Sequence, residues 1–184
     1  MINKEMLSQG YLDIKVDPSL DIFAEIKKLK REKNAILLAH YYQNGEYDKA
    51  VLYYEKLYEK NPGDFFYGYY LKTLIQLEDY KTAEKVVRKQ LKRYPDMVSY
   101  QVDLGYVYSK SSEAAKAKQQ FEQTIKKLIP NQASVIQLAN AFMAIGETNY
   151  ALQTYQQGRK MLRGDYPLNI EIAEIYAGAG NYEA

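Results

Sequence analysis

The stretch LGYVYSKSSEAAKAKQQFEQTIKKLIP, residues 104–130, holds one copy of a pattern that recurs along the chain. In this copy Ala117 is followed four residues later by Phe121 and is preceded, at nine and thirteen residues, by Tyr108 and Leu104. The small residue returns at a spacing of 33 or 34 residues, at Ala50, Ala83, Ala117 and Ala151. The chain is therefore built from repeated units.

Large apolar side chains keep a constant offset from each of these alanines. Four residues after them stand Tyr54, Val87, Phe121 and Tyr155. Nine residues before them stand Tyr41, Leu74, Tyr108 and Phe142, and thirteen before them Leu37, Tyr70, Leu104 and Leu138. Within a unit the apolar residues follow the i, i+3, i+4, i+7 spacing, which predicts two helices per unit. Four prolines end the units, Pro62, Pro95, Pro130 and Pro167.

This pattern resembles the tetratricopeptide repeat (TPR), which has a period of about 34 residues with a small residue late in each unit. The resemblance covers residues 44–184 and implies an all-α, TPR-type α-solenoid of about four helix pairs plus a truncated fifth. The fifth unit starts with Ile172, Ala173 and Tyr176. Neighbouring pairs in such an array bury each other's apolar faces, so we expect residues 44–184 to fold as one array.

Residues 11–43, YLDIKVDPSLDIFAEIKKLKREKNAILLAHYYQ, follow another pattern. They predict an N-terminal helix that is capped by Ser19 or Asp21 and carries an apolar face. As a string, the segment resembles the N-terminus of quinolinate synthase, an iron-sulfur enzyme, and this resemblance implies that His40 and Tyr42 would contact substrates. That family holds its cluster with cysteines, and this chain has none.

We therefore interpret residues 1–43 as a quinolinate-synthase-like segment that has lost the activity, is helical, and docks on the array. Residues 35–43 read locally as a strand, because they are rich in Ile, Leu and Tyr. A strand would have no sheet to join in a helical array, however, and its unpaired backbone would be costly to bury. We expect these residues to form the first helix of the first unit.

Composition excludes several kinds of chemistry. With no Cys and a single His, His40, the chain lacks thiolate zinc sites, cysteine nucleophiles and an imidazole metal site. The net charge of +2 provides no strong field for nucleic acid or an anionic membrane. No run of about 18 apolar residues or secretory signal is present. We expect no enzymatic activity, no cofactor, no metal, and a cytoplasmic location by default.

The TPR resemblance implies a scaffold or adaptor that binds a peptide or a protein surface in the concave groove formed by the first helices of the units. Mapped by register, the expected groove residues are Tyr42, Lys72, Gln76, Tyr106, Lys110, Asn140, Met143 and Glu174. Two alternatives remain open: an inactive quinolinate synthase remnant fused to the repeats, or a chimeric product without a function of its own. Self-association through the truncated C-terminal unit is also possible on this pattern.

Overall fold

The computed structural model describes residues 19–33, 45–162, 164 and 168–178, and these residues form nine α-helices and no β-strand. The helices are α1 Ile22–Glu32, α2 Tyr47–Lys60, α3 Asp64–Gln76, α4 Tyr80–Arg93, α5 Val98–Lys110, α6 Ala114–Lys126, α7 Gln132–Ala144, α8 Thr148–Met161 and α9 Asn169–Gly178. The chain divides into two compact units, residues 1–46 and residues 47–184.

The described part of the first unit is the helix α1. Its cap is Asp21, whose side chain accepts a hydrogen bond of 3.0 Å from the backbone N–H of Ala24, so the predicted start of the helix is confirmed. Helix α1 buries none of its side chains, and the apolar Phe23 is 73% exposed. That this segment docks on the array stays a prediction.

The helix predicted over residues 35–43 lies outside the described residues, and so do His40 and Tyr42.

The second unit is a series of antiparallel helix pairs, as the sequence predicted. Helices α3 and α4, α5 and α6, and α7 and α8 form three complete pairs. Helix α2 precedes them at the second-helix position of the repeat register, and α9 follows them at the first-helix position. Consecutive helices pack against each other within pairs, and α5 also packs against α7. The fold is an all-α, TPR-type solenoid.

The repeat register of the sequence coincides with the core. All four alanines of the register are at most 4% exposed, and the large residue four positions after each of them is buried as well. The described positions nine and thirteen residues before the alanines are also buried, namely Tyr70, Leu74, Leu104, Tyr108, Leu138 and Phe142. The register therefore identifies the residues that pack between the helices of each pair.

The turn inside each repeat has the same backbone form in all four copies. Five residues before each alanine of the register the backbone is left-handed, with φ of 74° at Gly45, 58° at Glu78, 63° at Ser112 and 79° at Gly146. After the last three of these turns, the next amide donates to a carbonyl five residues earlier, Asp79 to Leu74, Glu113 to Tyr108 and Glu147 to Phe142, at 2.9–3.0 Å. This is the Schellman ending of a helix, which satisfies carbonyls that would otherwise lack partners.

Gly105 marks the closest approach between the helices of the central pair. A Cβ atom added to Gly105 would lie 2.2 Å from Cε1 and 2.5 Å from Cδ1 of Phe121. Phe121 is 1% exposed and is held by two further rings, with centroid distances of 5.3 Å to Phe142 and 4.8 Å to Tyr150. The glycine thus lets α5 lie directly on the ring that α6 presents.

Candidate functional site

A cavity of about 270 Å³ lies between the first helices of successive pairs in the second unit. Its apolar wall is formed by Gly68, Leu71 and Ile75 of α3 and by Ala144 and Ile145 at the C-terminal end of α7. Gly68 opens the wall, because a Cβ atom built there would meet no atom of the described residues within 4 Å. The cavity is therefore an open recess on the face where the register places the groove.

Three of the predicted groove residues meet in this cavity. Lys72 and Gln76 of α3 and Tyr106 of α5 all line it, with Lys72 and Gln76 exposed and Tyr106 half-buried. Lys110 lies one turn beyond Tyr106 on α5, with its Nζ atom 5.2 Å from the centroid of the Tyr106 ring. The two α5 residues thus act as one cationic and aromatic unit at the edge of the cavity.

Three other predicted groove residues are not among those that line the cavity. Asn140 and Met143 are exposed on α7, and Glu174 is exposed on α9. Met143, at 43% exposure, immediately precedes the Ala144 that lines the cavity. Tyr42 lies outside the described residues. A groove role for all eight residues stays a prediction.

The most unusual group in the cavity is the carboxyl of Asp103, which sequence reasoning missed. The Tyr67 hydroxyl donates to Asp103 Oδ2 across 2.7 Å, joining α3 to α5. Burial, reinforced by the negative charge of Asp64 and opposed by the Tyr67 hydrogen bond, raises the pKa of the Asp103 carboxyl to about 6. One signal was present in the sequence, because Asp103 is an acidic residue between Val102 and Leu104, both of which are core residues.

Burial and the neighbouring Asp103 charge keep the pKa of the Tyr67 hydroxyl well above its usual range, so this hydroxyl remains a donor at neutral pH. Its ring packs edge-on against Tyr100, with the centroids 4.9 Å apart. Tyr100 in turn donates to Asp64 and accepts from the fully buried Gln90. Gln90 is held from the other side by Tyr58.

The polar network of Tyr58, Gln90 and Tyr100 thus lies behind Tyr67 and fixes the floor of the cavity. A hydrogen bond of 3.0 Å from Gln90 Nε2 to the carbonyl of Pro62 completes it. Within the described ranges every buried side-chain nitrogen and oxygen has a hydrogen-bond partner. A fully satisfied network of this kind is rigid, so the floor is pre-organised rather than formed on binding.

Other sites of chemistry are not evident in the part of the chain that the structure describes. No cluster of three or more His, Cys, Asp or Glu side chains is placed there to hold a metal ion. None of the described helices combines the length and apolarity needed to cross a membrane.

Solved structures with similar helical arrays include two of MamA and one of TTC0263. The first MamA structure shares 17% identity at a TM-score of 0.42, covering 81% of this chain and 88% of that chain. The second shares 16% identity at a TM-score of 0.42, covering 80% and 81%. TTC0263, a thermophilic TPR protein of Thermus thermophilus, shares 20% identity at a TM-score of 0.43, covering 79% and 80%.

No protein-family model matches the sequence. No curated protein matches it either. None of these comparisons supports the resemblance of residues 11–43 to quinolinate synthase. The TPR-type fold follows from the buried register and the repeated helix pairs of the second unit.

Proposed function

We propose that this chain is a protein-interaction scaffold that binds a peptide or a protein segment in the groove formed by α3, α5 and α7. The observation that carries the proposal is the convergence of three register-predicted groove residues, Lys72, Gln76 and Tyr106, on one open cavity. Binding sites for peptides combine a pre-formed recess, apolar walls and a few polar groups that fix orientation.

The chemistry of the cavity suits a peptide. Its wall of Leu71, Ile75 and Ile145 can take up an apolar portion of a ligand, while the Tyr106 hydroxyl and the Gln76 amide offer hydrogen bonds at the edge. Because the floor is held by a satisfied network, little ordering entropy is lost in the protein when a ligand binds.

Site-specific photocrosslinking tests the proposal directly. A photoreactive amino acid at Gln76, inside the groove, should capture a defined set of proteins or peptides in cell extract, whereas the same group at Lys118, exposed on the second-helix face, should not. Gly68→Leu should suppress the capture, because a Cβ atom at Gly68 meets no described atom within 4 Å and the rest of the leucine side chain would occupy the cavity that Gly68 lines.

The matched control is Ala115→Leu, which adds a similar apolar side chain at an exposed position of α6 and should leave the capture unchanged. The double change Tyr106→Ala and Lys110→Ala should also reduce it. Equal capture from Gln76 and Lys118, undiminished by Gly68→Leu, would show that the groove is not the binding surface.

A further inference from the structure

We infer that the cavity takes one lysine or arginine side chain of the bound segment, whose cationic group pairs with the carboxylate of Asp103. This inference rests on the proposed function and specifies its ligand. It follows from three features of the cavity, namely the unmatched charge on its floor, the shape of its walls and the sign of the charges around it.

The Asp103 carboxylate has no cation to pair with among the described residues. Its Oδ2 atom accepts from Tyr67, and no hydrogen bond reaches Oδ1 from the part of the chain that the structure describes. The charged side chain that shifts the pKa of Asp103 is Asp64, whose charge is also negative. Every buried side-chain oxygen of the described residues has a hydrogen-bond partner, so the Oδ1 atom that lacks one is open to the cavity, and Asp103 is half-buried. A ligand that supplied a cation there would pair with this carboxylate.

The walls suit the stem of a long basic side chain. Leu71 and Ile75 line the cavity on the α3 side, and Ala144 and Ile145 line it on the α7 side. The methylene groups of Lys or Arg pack well on such a surface while their charged end reaches a polar group. A volume of about 270 Å³ is just below the range of about 300–1,000 Å³ that is usual for whole small-molecule ligands, so a single side chain is the appropriate occupant.

The charges at the edge restrict the residues on either side of the basic anchor. Of the charged and titratable groups that line the cavity beside Asp103, Tyr67 and the exposed Lys72 lie on α3, and Tyr106 lies on α5. Nearby, Asp64 acts on Asp103 through its charge, and the exposed Lys110 lies against the Tyr106 ring. The residues that α7 contributes to the cavity are both apolar. The positive charge of Lys110 at the edge disfavours further basic residues in the ligand, so the ligand carries one Lys or Arg flanked by neutral or acidic residues.

Affinity for such a ligand should fall in mildly acidic solution. Burial raises the pKa of the Asp103 carboxyl to about 6, and pairing with a cation favours the ionised form, so below that pH binding must first remove a proton. Between about pH 7.5 and pH 5 the association constant should therefore fall roughly tenfold.

The test is a selection of random nine-residue peptides displayed on phage, performed in parallel against the full chain and its Gly68→Leu and Asp103→Asn variants. Circular dichroism first establishes that both variants fold. The inference expects the full chain to enrich peptides with a fixed Lys or Arg, and both variants to lose that enrichment.

The enriched arginine peptide is then titrated calorimetrically beside the same peptide with citrulline, which keeps the shape of arginine without its charge. Citrulline should weaken binding at least about tenfold in the full chain and change it little in Asp103→Asn. The loss of affinity at about pH 5 should likewise be confined to the chain that retains Asp103.

The two proposals fail in different ways. Peptides that depend on an open Gly68 but carry no fixed basic residue, or that bind Asp103→Asn equally well, would overturn the basic anchor and leave the groove function standing. Peptides enriched equally by the full chain and by Gly68→Leu would overturn groove binding itself, and the anchor with it.

Discussion

Replacing Gly105 by alanine should destabilise the repeat array although alanine is the better helix former. The added Cβ atom would lie 2.2 Å from Cε1 of Phe121, a distance at which one of the two helices must shift. The Phe121 ring cannot retreat easily, because Phe142 and Tyr150 lie against it with centroid distances of 5.3 Å and 4.8 Å. The perturbation is a single methyl group at the crossing of α5 and α6.

The magnitude follows from two opposing terms. Overpacking in a closed core costs about 1–3 kcal/mol. Alanine in place of glycine inside a helix raises the free energy of unfolding by about 0.5–1 kcal/mol. Because the Phe121 ring is enclosed, we expect the overpacking cost to lie in the upper part of its range. Gly105→Ala should therefore lower the free energy of unfolding by about 1–2 kcal/mol in total.

Gly68→Ala is the matched control, since it makes the same change in the interior of α3, where a Cβ atom meets no described atom within 4 Å. Gly68→Ala should raise the free energy of unfolding by about 0.5–1 kcal/mol. Urea unfolding followed by far-ultraviolet circular dichroism measures both, and the two midpoints should move in opposite directions. A Gly105→Ala variant at least as stable as the unchanged chain would refute the close approach of α5 to Phe121.

Three further predictions concern other positions. Ala117→Leu should lower the midpoint of thermal unfolding by several degrees, because Ala117 is 4% exposed at the crossing of α5 and α6. The control Ala133→Leu, at an exposed position of α7, should change the midpoint little. Equal midpoints for the two variants would contradict the register. Ser112→Gly should raise the free energy of unfolding by up to about 1 kcal/mol in urea titrations, because the backbone there has a φ of 63°; a loss of stability would show that the serine side chain matters more than the turn. Asp103→Asn should stabilise the fold at about pH 7.5, and the gain should shrink towards about pH 5. The folded-state pKa of the Asp103 carboxyl, about 6, lies above its unfolded value, so protonation on acidification stabilises the unchanged chain. Midpoints of thermal unfolding between these two pH values measure the difference. A stability gain from Asp103→Asn that did not depend on pH would contradict the prediction.

The sequence predicted the fold well because its signal is periodic. A small residue every 33 or 34 positions, with large apolar residues at fixed offsets, specifies helix pairs and their crossings several times over. For the candidate site, register alone places Lys72, Gln76 and Tyr106 on the expected groove face, and these three line the cavity. That they bind a partner stays a prediction.

Asp103 was not found from the sequence, because its importance depends on a neighbour 36 residues away. Only when α3 and α5 pack together does the Tyr67 hydroxyl reach its carboxylate. Periodicity shows which face of a helix a residue occupies, but it does not show which polar groups on the next helix will lie opposite, or how deeply they will be buried.

The repeat follows from the amino-acid sequence alone, since local helical spacing and a fixed period specify helix pairs that bury each other's apolar faces. Three further features come from the packed chain: the left-handed turns at Glu78 and Ser112, the open recess at Gly68, and the half-buried carboxyl of Asp103. The recess and the burial of Asp103 depend on residues that are distant in sequence. A turn conformation is imposed by the helices it joins, and burial is a property of neighbours rather than of the residue itself.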